Sequence, residues 1–348
     1  MVLGACTFWK RIATPCLLAD FQHPNANFKV QVWKLGTAFS GMETIAFSLH
    51  DLGITQYEHA FCVEKNKACR RFIEQNVEID KKIIFEDITT TPARSLPSSD
   101  VYVAGFPCIA FSTAGLGRDS SAPDGKYFDY CADYIEHKAP GLFILENVPP
   151  LAQSARHRPY WHHIVKRLFE INNEMYHCNA RIVCTNQNGL PQTRKRLYLV
   201  GLKKTACNPR FQFRWPAAIP TQPIASLLDM DDQPFGIPQL CSQQNKLVLA
   251  LGKMRASGIN GIRRVVFVDI LEGRKDKVPH WSFSCPTITR QRGSGGGFWI
   301  TKLGRFTSVA ELCRLQGFEM ARFSRAGISD RQVKMMVVWG GGSNMIKR

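Results

Sequence analysis

From Val30 to Leu202 the chain alternates short apolar runs with helix-like stretches, and this alternation restricts the fold more than any other feature. The runs Trp33–Ala38, His59–Val63, Ile83–Phe85, Val101–Ala104, Leu142–Leu145, Arg181–Cys184 and Leu197–Leu202 read as strands. Thr44–Leu52, Lys67–Gln75 and Arg158–Ile171 read as helices between them. Strands that alternate with helices predict an α/β fold with a mostly parallel, doubly wound sheet, whose ligands sit at the carboxyl ends of the strands.

The texture changes after Leu202. Lys204–Ser284 carries Pro209, Pro216, Pro220, Pro223, Pro234, Pro238 and Pro279, many basic residues and few periodic segments. It reads as a small, loop-rich, basic domain. Further on, Ser308-Val-Ala-Glu311 is a capping box that opens a helix, and Gly317 stops it. The expected division is an N-terminal extension at 1–30, a main domain at 31–203, the small domain at 204–284 and a final part at 285–348 that returns to the main domain. A chain of 348 residues is long enough for two cores.

The net charge of +17 points to a polyanionic partner. Twelve cysteines form no CxxC pair, which argues against a zinc knuckle and leaves no metal site expected. Scattered through apolar segments of a long chain, they read mostly as reduced core residues of an intracellular protein. Lys10 and Arg11 interrupt the apolar start, so no signal peptide is expected, and no apolar run is long enough for a membrane-spanning helix.

Four places carry chemistry. Phe39-Ser40-Gly41-Met-Glu43 links the first strand to a helix opening at Thr44, where an open α/β sheet puts a nucleotide-like ligand. It is not a GxGxxG loop, so a plain strand–turn–helix junction is as good a reading, and a Rossmann dehydrogenase is excluded. Glu64 ends the second strand, where an acid can accept both hydroxyls of a ribose, and Asp87 follows the third, where a carboxylate can bind an adenine amino group. Gly105-Phe-Pro107-Cys108 brings a cysteine off the fourth strand, with Pro107 stiffening the approach, as a nucleophile requires. Glu146 ends the fifth strand, where it would sit beside Cys108 if the two strands neighbour each other; burial there would raise its pKa towards that of a proton donor. Pro191-Gln-Thr-Arg194-Lys-Arg196 places two guanidinium groups at i, i+2 on one side of an extended segment, able to grip a carbonyl, phosphate or carboxylate.

In this order the motifs resemble the cytosine-C5 DNA methyltransferase family, from about Val32 to Phe318, with Arg314-Leu-Gln-Gly-Phe318 closing the series. The resemblance implies a Rossmann-like, S-adenosylmethionine-dependent methyltransferase domain with 204–284 as an inserted target-recognition domain. It implies Cys108 as nucleophile at C6 of a flipped cytosine and Glu146 as hydrogen-bonding partner of its N3 edge. Arg194 and Arg196 would hold the base carbonyl and the catalytic loop. Phe39, Ser40, Gly41, Glu64, Asp87 and Pro107 would bind S-adenosylmethionine, with Asn344 as the match for a turn that touches it. DNA is the implied partner, a monomer is expected, and the compartment would be the nucleus in a eukaryote or the cytoplasm in a prokaryote.

The chain departs from the family at four points. Thr37 stands where many relatives carry an acid two positions before the first Phe, and Glu43-Thr44 replaces a glycine pair, so a differently shaped cofactor loop is expected. Ile109 stands where Gln is frequent. After Asn344 no residues remain for the family's closing helix, so the last part reads as truncated. Two other readings compete. One is a transfer-RNA cytosine methyltransferase, disfavoured because 204–284 lacks a Cys-Phe-Thr motif. The other is a catalytically impaired nucleic-acid-binding relative, disfavoured by the intact Cys108, Glu146, Arg194 and Arg196.

Overall fold

The computed structural model describes residues 32–107, 126–207, 212–230, 238, 240–260, 263–271, 280–289, 292 and 297–339. The expected nucleophile Cys108, the turn residue Asn344 and the extension at 1–30 lie outside the described residues. In chain order the elements begin with β1 (Trp33–Ala38), α1 (Thr44–Asp51), β2 (Tyr57–Val63), α2 (Lys67–Asn76), β3 (Ile84–Phe85) and β4 (Val101–Ala104). Next come α3 (Tyr127–Lys138), β5 (Leu142–Asn147), α4 (Pro150–Gln153), α5 (Arg158–Glu170), β6 (Tyr176–Cys184), β7 (Gln192–Thr193) and β8 (Lys195–Lys203). The rest are α6 (Cys241–Ala256), β9 (Val266–Val268), β10 (His280–Ser282), β11 (Cys285–Pro286), β12 (Trp299–Ile300), β13 (Arg305–Phe306), α7 (Val309–Leu315) and α8 (Asp330–Trp339).

The chain divides into two compact units. Among the described residues, one holds those up to Cys184 together with Lys195–Ala217; the other holds Thr185–Arg194 and those from Ala218 to Trp339. The first unit is a seven-stranded sheet in the order β3-β2-β1-β4-β5-β8-β6. Its first five strands run parallel; β8 runs antiparallel to both its neighbours, β5 and β6, so it alone is reversed and the sheet is mixed. The order reverses between β1 and β4, and that reversal leaves a crevice at their carboxyl ends.

Both faces of the sheet are covered, because alternate residues of one strand enter different cores. On β4 and β5, Tyr102, Ala104, Phe143 and Leu145 join one cluster with Phe128, Ile135 and Ile164 from α3 and α5. Val101, Val103, Leu142 and Ile144 join the other with Ile45 and Leu49 of α1. Near-continuous apolar runs are what a strand buried on both faces requires. Gly201 on β8 is obligatory, since a Cβ there would lie 2.0 Å from the Phe143 ring.

Several elements run past or lie outside the expected ranges, among them β6 and α6. β6 begins at Tyr176 rather than Arg181 because all nine residues pair with β8, from Tyr176–Lys203 to Cys184–Lys195. It is an edge strand, and its exposed His177 and Arg181 and half-buried Asn179 break the apolar pattern, as edges do. The helix α6 lies inside the stretch that shows few periodic segments; it buries only Leu247, Ala250 and Met254.

The second unit has an antiparallel sheet in the order β10-β9-β12-β13 and a short parallel pair of β11 with β7. The capping box of α7 forms as expected. Ser308 Oγ accepts from Glu311 N at 3.1 Å, and Glu311 Oε2 accepts from Ser308 N at 2.7 Å. Glu311 is fully buried and also accepts from both terminal nitrogens of Arg305, at 2.8 and 2.9 Å, and from Asp229 N at 2.9 Å. Burial alone would push its carboxyl up, but Arg305 and the two N–H donors outweigh this and hold it below the usual carboxylate range. The pair stabilises the fold above the ordinary carboxyl pKa, and that contribution is lost as pH falls through the depressed value. Glu311→Gln leaves Arg305 without its charge partner and should cost about 2–4 kcal/mol, read from urea unfolding at neutral pH. At a pH low enough to protonate Glu311, the difference between variant and wild type should vanish.

Candidate active site

The turn after β1 is coiled by left-handed residues, with φ of 54° at Phe39, 59° at Gly41 and 54° at Glu43. Ser40 anchors it to β2, its N and Oγ both donating to Val63 O at 3.2 Å. Glu43 sits at the amino end of α1 without capping it. Its carboxylate instead turns back under the loop, where Thr37 Oγ1 donates to Glu43 Oε2 at 2.8 Å and His59 Nε2 lies 3.4 Å from Oε1. Both Glu43 and His59 are buried. The loop thus keeps a buried carboxylate at the base of β1 even though Thr37 occupies the strand position. It comes from the far end of the loop, and it ties that end to β1 and β2.

Glu64 closes the other side of the crevice. Its Oε2 accepts from Gly41 N and its Oε1 from Asn66 N, each at 2.7 Å, while Arg70 Nη1 donates to its carbonyl at 2.9 Å. Asn66 caps α2 by accepting from Ala68 N and Cys69 N. Burial pushes the Glu64 carboxyl up, outweighing the two backbone donors and Arg70. Asp87 is more exposed to charge compensation. Burial raises its pKa, but Lys65 Nζ at 2.7 Å and the N–H and hydroxyl of Thr89 at 2.9 and 2.8 Å bring it below the usual range. The Phe39 ring meets Tyr127 edge-on, with centroids 5.4 Å apart. An aromatic ring on a loop held by a half-buried carboxylate suits a nucleoside: the ring offers a stacking face and the carboxylate accepts hydroxyl protons.

On the other side of the switch point, β4 and β5 run parallel with Ala104 opposite Leu145. Gly105–Pro107 therefore leaves the sheet level with Glu146 and Asn147. Asn147 is buried and its Nδ2 donates to Phe106 O at 3.2 Å, and its Oδ1 accepts from Val148 N at 2.8 Å. Phe106 is itself buried, its ring 5.9 Å from that of Phe128. The approach to Cys108 is thus clamped on both sides by side chains that the sequence reading did not single out. The Asn of Glu-Asn-Val was the available signal.

Glu146 pairs with Arg196, whose Nε lies 2.8 Å from Oε1, with the two side chains 6% and 14% exposed. The register explains the contact: Glu146 faces Tyr198 across the antiparallel β5–β8 pair, two residues from Arg196. Arg196 Nη1 also donates to Lys195 O at 2.8 Å. Arg194 belongs to the second unit, where it is 2% exposed, its N donating to Thr185 Oγ1 at 3.1 Å and its carbonyl accepting from Thr185 N at 3.0 Å. Of the expected site residues, the first unit holds Phe39, Ser40, Gly41, Glu64, Asp87, Pro107, Glu146 and Arg196 at the edge of the sheet where β1–β5 end and β8 begins.

The profile of C-5 cytosine-specific DNA methylases matches residues 34–337. The chain belongs to that family. This methylase is 30% identical over 290 residues to the Type II methyltransferase M.NgoBI of Neisseria gonorrhoeae, covering 82% of the chain and 83% of the relative. Against the Type II methyltransferase M.SsoII of Shigella sonnei it is 34% identical over 137 residues, 39% of the chain and 35% of that protein. Solved structures with the same fold include the S. pombe Dnmt2 methyltransferase, with a TM-score of 0.59 at 14% identity, covering 90% of this chain and 96% of that one. The Entamoeba histolytica methyltransferase EhMeth gives 0.58 at 14% identity, covering 91% and 96%. The methylase is thus a DNA (cytosine-5-)-methyltransferase by family, and the family and fold imply dependence on S-adenosylmethionine. Among the described residues no helix is long and apolar enough to cross a membrane, and no group of His, Cys, Asp and Glu could hold a metal ion.

Proposed function

We propose that this methylase transfers a methyl group to C5 of a cytosine flipped out of duplex DNA, through a covalent adduct between Cys108 and C6. The observation that carries the reading is the buried Glu146–Arg196 pair, level with the clamped loop that leads to Cys108. Cytosine C5 is a poor nucleophile. Addition of the Cys108 thiolate at C6 makes C5 enamine-like, and loss of the C5 proton after transfer expels the thiolate. Glu146 hydrogen-bonds N3 and the exocyclic amine and stabilises the added state. Arg196 fixes that carboxylate and, with Arg194, holds the base carbonyl and the catalytic loop. C6 is buried in a duplex, so the base must leave the stack.

Bound S-adenosylmethionine supplies an electrophilic methyl on sulfur. Phe39 stacks on its adenine, Glu64 accepts from its ribose hydroxyls, Asp87 meets its amino group, Ser40 and Gly41 line its loop, Pro107 lines the pocket and Asn344 touches it from the final turn. Residues 204–284 read the target sequence, and the protein works as an intracellular monomer. Bisulfite sequencing of DNA incubated with the protein and S-adenosylmethionine tests the activity: new protected cytosines are expected, and none on any cytosine-rich duplex would overturn it.

The raised Glu64 carboxyl gives a pH signature. Ribose hydroxyls favour the ionised form, so the free protein binds a proton more readily than the complex does. Affinity for S-adenosylmethionine should therefore fall as pH drops through the raised Glu64 value, by up to about tenfold per pH unit, in calorimetry. Glu64→Gln should flatten that dependence.

A further inference from the structure

We propose that Phe283 is a DNA-stacking residue of the second unit, its ring lying against an exposed base of the bound duplex; this rests on the base-flipping reading above. Phe283 is 73% exposed and holds φ at 71°, a left-handed conformation that a bulky side chain rarely adopts. Strain of this kind persists only where the surroundings fix it, and an exposed ring gains little from burial. The surroundings do fix it. Phe283 and Ser284 are the only residues between β10 and β11. Ser284 Oγ lies 3.0 Å from Thr193 Oγ1, Cys285 N donates to Pro191 O at 2.7 Å, and Thr287 Oγ1 donates to Thr193 O at 2.7 Å. The ring is thus mounted on the segment that leads into Arg194.

Charge selects the partner. The Arg264 guanidinium lies 5.9 Å from the ring centroid, and both Arg263 and Arg264 are exposed on a chain of net charge +17. An exposed aromatic ring beside an exposed arginine matches what a nucleic acid offers, a base face beside phosphates. A base extruded from the stack leaves neighbours with uncovered faces, and a rigid ring can cover one.

The test uses the full chain and fluorescence anisotropy on two probes: a cytosine-rich duplex and the same duplex with one abasic site. Phe283→Ala and Phe283→Gly should each weaken binding about tenfold, whereas Phe283→Trp should stay within about twofold of wild type. The salt slope should be unchanged in all three, while Arg264→Ala should flatten it. Wild type should prefer the abasic duplex, and Phe283→Ala should lose that preference. Glycine relieves the left-handed strain, so Phe283→Gly should melt no lower than wild type while binding DNA less well, which a purely structural ring would not do. Unimpaired binding by Phe283→Ala, or a weakened Phe283→Trp, overturns the proposal. Methyl transfer by the wild type is measured in parallel. Transfer alongside an unimpaired Phe283→Ala overturns the stacking role alone. No transfer by wild type, with Phe283→Ala weakened in binding, overturns the methylase reading alone.

Discussion

Cys108→Ser should lower methyl transfer at least about 10³-fold while leaving the melting temperature and S-adenosylmethionine affinity unchanged. A serine hydroxyl stays protonated near neutral pH, so no anion is available to add at C6. The stronger form of this result uses 5-fluorocytosine DNA. Thiolate addition and methyl transfer both proceed with fluorine at C5, but the last step needs a proton to leave, and fluorine cannot leave as F⁺. Wild type should remain bonded to the DNA on a denaturing gel, only with S-adenosylmethionine present, and Cys108→Ser should not. Transfer to the exocyclic nitrogen needs no addition and gives no adduct, so a free protein with active transfer would reject the C5 chemistry.

Glu146→Gln should reduce the rate of single-turnover transfer about 10²–10³-fold, because it removes a preorganised charge from the reacting base. The amide keeps one acceptor for Arg196, so the fold should survive, though a guanidinium left beside a neutral partner in a site only 6% exposed at residue 146 destabilises it. Affinity for S-adenosylmethionine, measured by calorimetry, should not move, since Glu64 and Glu43 lie at the other strand ends. A matched loss of cofactor binding would show that Glu146 acts by shaping the site.

The sequence was most legible where strands are buried on both faces. β1 and β4 match their expected limits because their neighbours in the sheet demand apolar residues on both sides. It was least legible at the edge and at α3. β6 mixes polar residues into its pattern, and α3 begins at Tyr127 behind Lys126, whose side chain makes no cap, so no start signal marks it. The motif residues of the first unit were legible because strand ends bring them to one edge of the sheet. The Glu43–Thr37–His59 brace was not, because it depends on β1 pairing with β2 and on a left-handed residue at position 43. Likewise, the hold of Asn147 on Phe106 exists only through the parallel register of β4 with β5.

One turn of the chain's path has a consequence for how the protein is made. After Cys184 the chain enters the second unit for Thr185–Arg194 and returns at Lys195 to lay down β8. In that excursion, Gln192 pairs with Cys285, on a strand that leaves the ribosome much later. The seven-stranded sheet has all its strands once Lys203 has emerged, while the excursion still waits for its stitch. Closing a loop costs an entropy that grows only logarithmically with its length. The stretch between the two halves of the stitch can therefore lengthen or be exchanged without shifting a rung of the main sheet.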